Sequence, residues 1–294
     1  MKRRTMLGWS LLAIGTVMAI SSAVIEKPGS ISWHDKFSYQ KAGALKTTDL
    51  SQQLPPKIED IKKLTIDSSD KAVYIERGDH FAITETHIGN DDKTKVTYSN
   101  GTLAVKNIVR SNHIISFDWR RFSEDQTRLT ITVPDSVQLK AIHVTQSNGD
   151  TTLSDIRADD IQVQSENDDV TLARVVAKNA KINLENGEAK LHQLTVDNLQ
   201  VQSENDDVTL AASTIKTIKT ELQNGDAEIA NSQILDGGYI RNENGDISIE
   251  TTKLPTFSAR TEIGDTEVAP AFVRQQGGKG DLIIQNQNGD IEIE

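Results

Sequence analysis

Residues 162–173 read QVQSENDDVTLA, and the same string returns unchanged at residues 200–211. The offset is two steps of a 19-residue period that runs through the C-terminal half of the chain. The turn tripeptides mark it: Asn148-Gly149-Asp150, Asn167-Asp168-Asp169, Asn186-Gly187-Glu188, Asn205-Asp206-Asp207, Asn224-Gly225-Asp226, Asn244-Gly245-Asp246, Ile263-Gly264-Asp265 and Asn288-Gly289-Asp290. Their centres are 19, 19, 19, 19, 20, 19 and 25 residues apart. A fixed short period is the signature of stacked units, each too small to bury its own apolar face.

Alignment on the turn centre separates inward from outward side chains. Seven residues before it stand Ile142, Ile161, Ala180, Leu199, Ile218, Gly238, Phe257 and Leu282, and five before it stand residues such as Val144, Val163, Ile182 and Ile284. Two and four residues after it come pairs such as Val170 and Leu172, or Ile291 and Ile293. Spacing of two on both sides of a turn is strand periodicity. A further apolar position nine after the centre, held by Ala177, Val196, Ile215 and Ile234 among others, lines a corner. The fold expected is all-β, a parallel β-solenoid of about eight 19-residue coils over residues 141–294. Ladder spacing of about 4.8 Å makes that a rod of roughly 38 Å.

Glycine holds six of the eight turn centres and aspartate two, as a left-handed backbone requires. Stacked asparagines one position earlier can bond along the stack like the ladders of cross-β structures. The acid after each centre (Asp150, Asp169, Glu188, Asp207, Asp226, Asp246, Asp265, Asp290) forms one stripe. Ordinary turn chemistry explains it. Its carboxylates also make it a candidate for weak calcium binding, without the nonapeptide of calcium-binding β-rolls.

Upstream of the repeats the pattern changes. Lys2, Arg3 and Arg4 precede an uncharged stretch that includes Met6–Ile25, long enough as a helix to span roughly 30 Å of bilayer. The basic cluster predicts a cytoplasmic tip and places everything after Ile25 outside. Residues 1–28 are therefore expected to be a single transmembrane anchor of a cell-membrane protein. The rival reading is a signal peptide cleaved near Ser21-Ser22-Ala23, giving a secreted protein. Residues 29–60 read as a juxtamembrane linker, closed by Leu54-Pro55-Pro56. Residues 61–140 hold strand-like runs such as Leu64-Thr65-Ile66 and Leu129-Thr130-Ile131 without the 19-residue period. They read as an irregular β cap, which protects an open solenoid end. At the other end the chain stops inside a strand, where Glu292 and Glu294 would discourage edge pairing.

Residues 26–140 carry 16 acids and 17 bases, whereas residues 141–294 carry 27 acids and 12 bases. Such an acidic arm excludes nucleic acid as a partner and turns away from anionic lipid headgroups. Absence of cysteine excludes disulfides, thiolate nucleophiles and cysteine-ligated metals.

A single N-terminal apolar segment, then Asn100-Gly101-Thr102-Leu103-Ala104-Val105, then Leu129-Thr130-Ile131-Thr132-Val133-Pro134, then Asn-Gly-Asp coils form a familiar order. Over residues 61–294 the chain resembles the bacterial cell-envelope family catalogued as putative adhesins, the LiaG-like β-strand-repeat domains of unknown function. The resemblance implies a surface or envelope protein linked to adhesion or to the envelope stress response, and it supplies no catalytic residues.

No catalytic, cofactor-binding or metal-binding residue is assigned. The histidines (His34, His80, His87, His113, His143, His192) lack metal-ligand spacing, and Gly277-Gly278-Lys279-Gly280 is an inserted loop in the one enlarged interval. Parallel β-helices include polysaccharide-acting enzymes, but here the carboxylates occupy equivalent positions in every coil, and catalysis needs one singular site. Residues 141–294 hold only Tyr239, Phe257 and Phe272 as aromatics, so no sugar-stacking groove is evident. The expected function is a non-enzymatic, membrane-held adhesin or binding module for a cell-wall polymer or surface protein. A structural or sensory envelope component is the alternative. A band of residues breaking the repeat on one face would favour binding.

Overall fold

The computed structural model describes residues 28–33, 37–41, 45–88, 94–107, 115–118, 127–277 and 281–294. The basic tip and the apolar stretch expected as an anchor lie outside these residues. Among the described residues, no helix is long and apolar enough to cross a membrane.

The chain divides into two units. The smaller contains a three-stranded antiparallel sheet in which β1 (Pro28–Trp33) lies between β2 (Phe37–Lys41) and β9 (Ile115–Asp118). β1 and β2 fall in the stretch read above as a linker.

The larger unit is a long, mostly parallel sheet that does not close, wound into coils with two main faces. The first face stacks β8 (Thr102–Asn107), β4 (Lys63–Ser68), β11 (Leu139–Gln146), β13 (Arg157–Ser165), β15 (Val176–Asn186), β17 (Thr195–Asn205) and β19 (Thr214–Asn224). It continues through the second part of β20 (Ala227–Asn244) to β24 (Leu282–Asn288) and ends on β22 (Phe257–Ile263). The second face stacks β10 (Arg128–Val133), β5 (Ala72–Arg77), β12 (Thr151–Ser154), β14 (Val170–Ala173), β16 (Ala189–His192) and β18 (Val208–Ala211). The first part of β20, β21 (Ile247–Lys253), β25 (Ile291–Ile293) and β23 (Thr266–Val268) complete it. β3 (Leu45–Asp49), β6 (Ala82–Ile88) and β7 (Thr94–Ser99) are the remaining strands.

From β11 to β19 each repeat pairs with its neighbour at the 19-residue register, and beyond β19 the offsets are 20, 44 and 25, so like residues still stand on like. Ile161 lies beside Ala180, Val163 beside Ile182, and Leu172 beside Leu191. The apolar columns read from the sequence are buried through most of the stack and lose cover in the outermost coil, where Val273 is exposed. Two inward columns were not evident from apolar spacing. Three residues before the turn centre, Gln146, Ser165, Ser203, Asn242 and Asn286 alternate with Leu184 and Leu222, and all are buried. Their polar groups bond to turn carbonyls, as when Asn242 Nδ2 donates to the Gly225 carbonyl at 2.8 Å. Seven residues after the centre, Ile156, Val175 and Leu194 give way to Ser213 and Ser232. There the Leu194 N–H donates to Ser213 Oγ at 2.9 Å, so the corner stays both buried and satisfied.

The turns lock the register. The centres Asp168 and Asp206 adopt φ of 84° and 115°, alongside glycines between 109° and 138°. A Cβ on Gly187 would stand 2.3 Å from the Asp168 carbonyl oxygen, and one on Gly225 would stand 2.6 Å from Asp206. A glycine coil therefore lies against each aspartate coil. A second left-handed corner follows six residues after the centre, at Asp155, Arg174, Gln193, Ala212 and Asn231. It was invisible in the sequence because no glycine marks it. The ladder runs through this corner, with the Gln193 N–H bonded to the Ala211 carbonyl at 2.9 Å.

Chain order and spatial order part company at both ends. The last strands of the chain, β24 and β25, lie between the coil of β20–β21 and the coil of β22–β23, so the segment expected at the free edge is interior. Composition explains the exchange. Leu282, Ile284, Ile291 and Ile293 are all apolar and buried, whereas at the equivalent positions the outermost coil has one large buried residue, Phe257, with half-buried Ala259 and Val268 and exposed Thr266. Placing the richer coil between two neighbours buries more apolar surface. At the opposite end, residues 61–140 continue the coil register through β4, β5, β8 and β10. The period is lost there because residues 108–127 separate the two halves of one coil. Asn100 and Gly101, at φ of 49° and 76°, form a hairpin turn that folds β7 antiparallel onto β8. Beneath it Lys71 and Glu85 form a buried ion pair.

Leu172→Asp is expected to lower stability by several kcal/mol, since no partner for the charge exists in its column. Ile284→Ala should cost about 2–5 kcal/mol in urea unfolding, as for any interior coil. A cost below about 1 kcal/mol would contradict the interior placement of the C-terminal strands.

Candidate binding groove

Outward side chains of the first face line a groove of about 610 Å³ beside the turns. It crosses β13, β15, β17, β19, β20, β24 and β22, a length of roughly 29 Å at about 4.8 Å per strand. Position four before the turn centre supplies, in spatial order, Gln164, Asn183, Gln202, Glu221, Arg241, Gln285 and Arg260. Position two before it supplies Glu185, Glu204, Gln223, Glu243, Gln287 and Glu262. Inward neighbours such as Val201 and Ile240 are buried and hold each strand in place. Asn183, Gln202 and Glu221 are half-buried, and the outer members are exposed.

The groove is internally bonded where the repeat breaks. Gln202 Nε2 donates to Glu221 Oε2 at 3.0 Å, and Arg241 Nη1 lies 3.8 Å from Glu221 Oε1. The Tyr239 hydroxyl lies close enough to the same carboxylate to favour its charged form. Arg241 stacks over the Tyr239 ring, 4.5 Å from its centroid, and its Nε donates to Gln285 Oε1 at 3.2 Å. Next to Tyr239 on the paired strand, Ile283 is 37% exposed. The Gln202 amide and the Tyr239 hydroxyl, then Arg241, hold the Glu221 carboxyl below the usual glutamate range. Burial, then Glu221, pushes the Tyr239 hydroxyl up. The result is a polar surface rich in both acceptors and donors, suited to hydrogen-bonding an elongated ligand.

The turn acids do other work. Asp150, Asp169, Asp207, Asp226, Asp246 and Asp290 each accept the N–H of the equivalent residue one coil further, at 2.7–3.2 Å. Asp169 is also bound by Lys190 at 2.7 Å. Against a burial effect that raises it, the Lys190 ammonium and the Glu188 N–H hold the Asp169 carboxyl below the usual range. Asp168 and Asp206 turn a carboxylate oxygen back to the Gly149 and Gly187 N–H groups at 2.5 and 2.8 Å. Among the described residues, no group of three or more histidine, aspartate or glutamate side chains is placed to hold a metal ion. His143 lies 3.4 Å from Asp160, while His34 and His113 lie outside the described residues. Gly277 of the inserted loop is exposed, and residues 278–280 are likewise outside.

The model of the Toastrack DUF4097 family matches residues 61–294. The chain belongs to that family. The Toastrack match covers the whole coil stack, including residues 61–140. None of the curated proteins matches the chain. Among solved structures, a protein named "putative lipid binding protein" from Parabacteroides distasonis aligns at 17% identity and TM-score 0.54, over 86% of this chain and 98% of its own. A "putative adhesin" from Bacteroides fragilis aligns at 13% identity and TM-score 0.37, over 85% and 97%. A "putative cell adhesion protein" from Clostridium sporogenes aligns at 10% and 0.30, over 86% and 99%. The first likeness is one of fold, and the other two support no further reading.

Sequence reasoning looked for aromatic stacking and so missed the Toastrack groove. The signal lay in the outward columns, where amides and carboxylates give way to Tyr239, Arg241 and Arg260. Because the folded Glu221 value is depressed, this network stabilises the domain above the ordinary glutamate value and is lost as pH falls through the folded one. Carboxyl-carbon NMR titration should place the Glu221 midpoint below that of exposed glutamates. Tyr239→Phe should move it upward, and an unmoved midpoint would count against the Tyr239 bond.

Proposed function

We propose that this protein is a binding module of the bacterial cell envelope, tethered by residues 6–25, which holds an extended polar polymer along the groove of its first face. The observation that carries the reading is the groove itself. It runs along the stack for roughly 29 Å and presents an amide or a charged group from each strand it crosses. A linear ligand lying across the strands would meet one such group per coil. A cell-wall polymer fits this geometry better than a globular surface protein, whose standard interface needs about 800 Å² per partner with an apolar centre. The amides and acids supply hydrogen bonds where a stacking groove would use rings, and Tyr239 is the only aromatic on the outward columns of this face. The reading involves no catalytic step and no cofactor. Its support is that the turn carboxylates are engaged with backbone N–H groups at equivalent places in successive coils.

Purified protein is expected to co-sediment with insoluble cell-wall material. Gln202→Arg, which fills the half-buried floor, should weaken that binding by roughly tenfold or more, a loss of about 1.4 kcal/mol. Glu228→Lys, on the second face, should leave it within about twofold. Equal binding by wild type and Gln202→Arg would remove the groove from consideration.

Placement outside the cell rests on Lys2-Arg3-Arg4 ahead of the apolar stretch. External protease on intact, wall-stripped cells should therefore digest residues 29–294. Protection of the domain would refute the topology, and a mature N-terminus at Val24 would mean release by cleavage.

A further inference from the structure

Beside the groove, the next outward column, six residues before the turn centre, carries a second periodicity over β13 to β19, twice as long as the coil. On β13, Gln162 and Gln164 face outward, and on β17 the same places are held by Gln200 and Gln202. β15 lies between these strands, with Lys181 beside Gln162 on one side and beside Gln200 on the other. β19 follows β17, with Lys219 beside Gln200. The outer surface thus reads glutamine, lysine, glutamine, lysine along the stack, one full repeat every two strands or roughly 9.6 Å.

Duplication of a two-coil unit explains the identical segments of β13 and β17. It does not explain why the intervening strands keep their lysine. Between β15 and β19, inward Ala177, Ala180 and Ile182 become Ile215, Ile218 and Thr220. Outward places changed as well, Asn183 to Glu221 and Glu185 to Gln223, while the lysine stayed at a place that faces away from the core.

We infer that the groove, together with this flanking column, is matched to a polymer whose own repeat spans two coils, and that its ligand is an extended β-1,4-linked glycan. This inference rests on the groove being a binding site, as proposed above. In such a ribbon each sugar is turned over relative to the last, so one edge presents the same groups at every second sugar, a repeat close to two ladder steps. Hydroxyl and N-acetyl groups both accept and donate hydrogen bonds. The Gln and Asn amides answer in both senses, Glu185 and Glu204 accept from hydroxyls, and the lysine ammonium groups donate once per disaccharide. An α-1,4-linked glucan has the same hydroxyl chemistry but curls, and it falls out of step with a straight row of side chains.

The test uses the full chain in detergent micelles, titrated with β-1,4-linked N-acetylglucosamine oligomers of two, four and six sugars, and with α-1,4-linked glucose oligomers of equal lengths. Because each added disaccharide binds as a tethered second unit, the β-linked tetramer should bind roughly tenfold or more tighter than the dimer. The α-linked series should show no such step. Lys219→Ala should bring the tetramer affinity close to that of the dimer while leaving the dimer, which can use the Lys181 repeat, within about twofold. A matched repeat is overturned if the tetramer binds no tighter than the dimer, or if both series climb alike. If cell-wall binding remains sensitive to Gln202→Arg in that case, the groove stands and only the match fails. If neither oligomers nor cell wall bind, both proposals fall together.

Discussion

The parallel backbone ladder between successive coils is the interaction on which everything else depends. No 19-residue coil has a core of its own, and none has paired backbone until a neighbour lies against it on each side. Register between neighbours must then be unambiguous, because a slip of one residue would send each apolar column to the surface. The turns supply that register. Asn186 Nδ2 bonds to Asn167 Oδ1 at 3.2 Å, Asn205 to Asn186 at 3.2 Å, and Asn224 to Asn205 at 3.1 Å. These bonds form only when turns stand directly over one another.

The acidic stripe takes on a different meaning in this setting. Unit charges about 4.8 Å apart repel by roughly 0.9 kcal/mol at the dielectric of water. A hydrogen bond from a backbone N–H to a charged acceptor contributes about 1.5–3 kcal/mol. Asp207, Asp226 and Asp246 each accept such a bond from the coil beyond. The bond outweighs the repulsion, even with the lower figure appropriate to an exposed site. The stripe is thus a register device as well as a source of negative charge, and its regularity reflects one role repeated in successive coils. The groove is the opposite case. Its departures at Tyr239, Arg241 and Arg260 are local, with Arg241 stacked on Tyr239 and Arg260 beside Glu262, and nothing in the ladder requires them.

The ends show how apolar content governs assembly when connectivity allows a choice. Thirteen-odd residues of connection after Val268 let the final strands reach past the preceding coil and enter beneath it. The coil left outermost is the one with Ala259, Thr266 and Ile263 at places where others carry larger apolar residues or asparagine. At the other end the Asn100-Gly101 hairpin lays an antiparallel strand over the last parallel one, removing an open edge.

The sequence by itself determined the all-β coil, the inward apolar columns and the left-handed turn centres, because each depends on local alternation and on a period that repeats many times. It also placed the chain in its family through the order of those motifs. Tertiary structure alone decided what depends on distant partners. The corner at Asp155, Arg174 and Gln193 is left-handed without glycine, since the ladder on either side imposes it. The polar residues three before the turn are buried because turn carbonyls receive them, from a neighbouring coil for Gln146, Asn242 and Asn286 and from their own turn for Ser165 and Ser203. Spatial order departs from chain order, since pairing strength and not sequence distance selects the neighbour. The groove emerges only when side chains 19 or more residues apart are set side by side, and Gln202, Glu221, Tyr239 and Arg241 become one network through that placement.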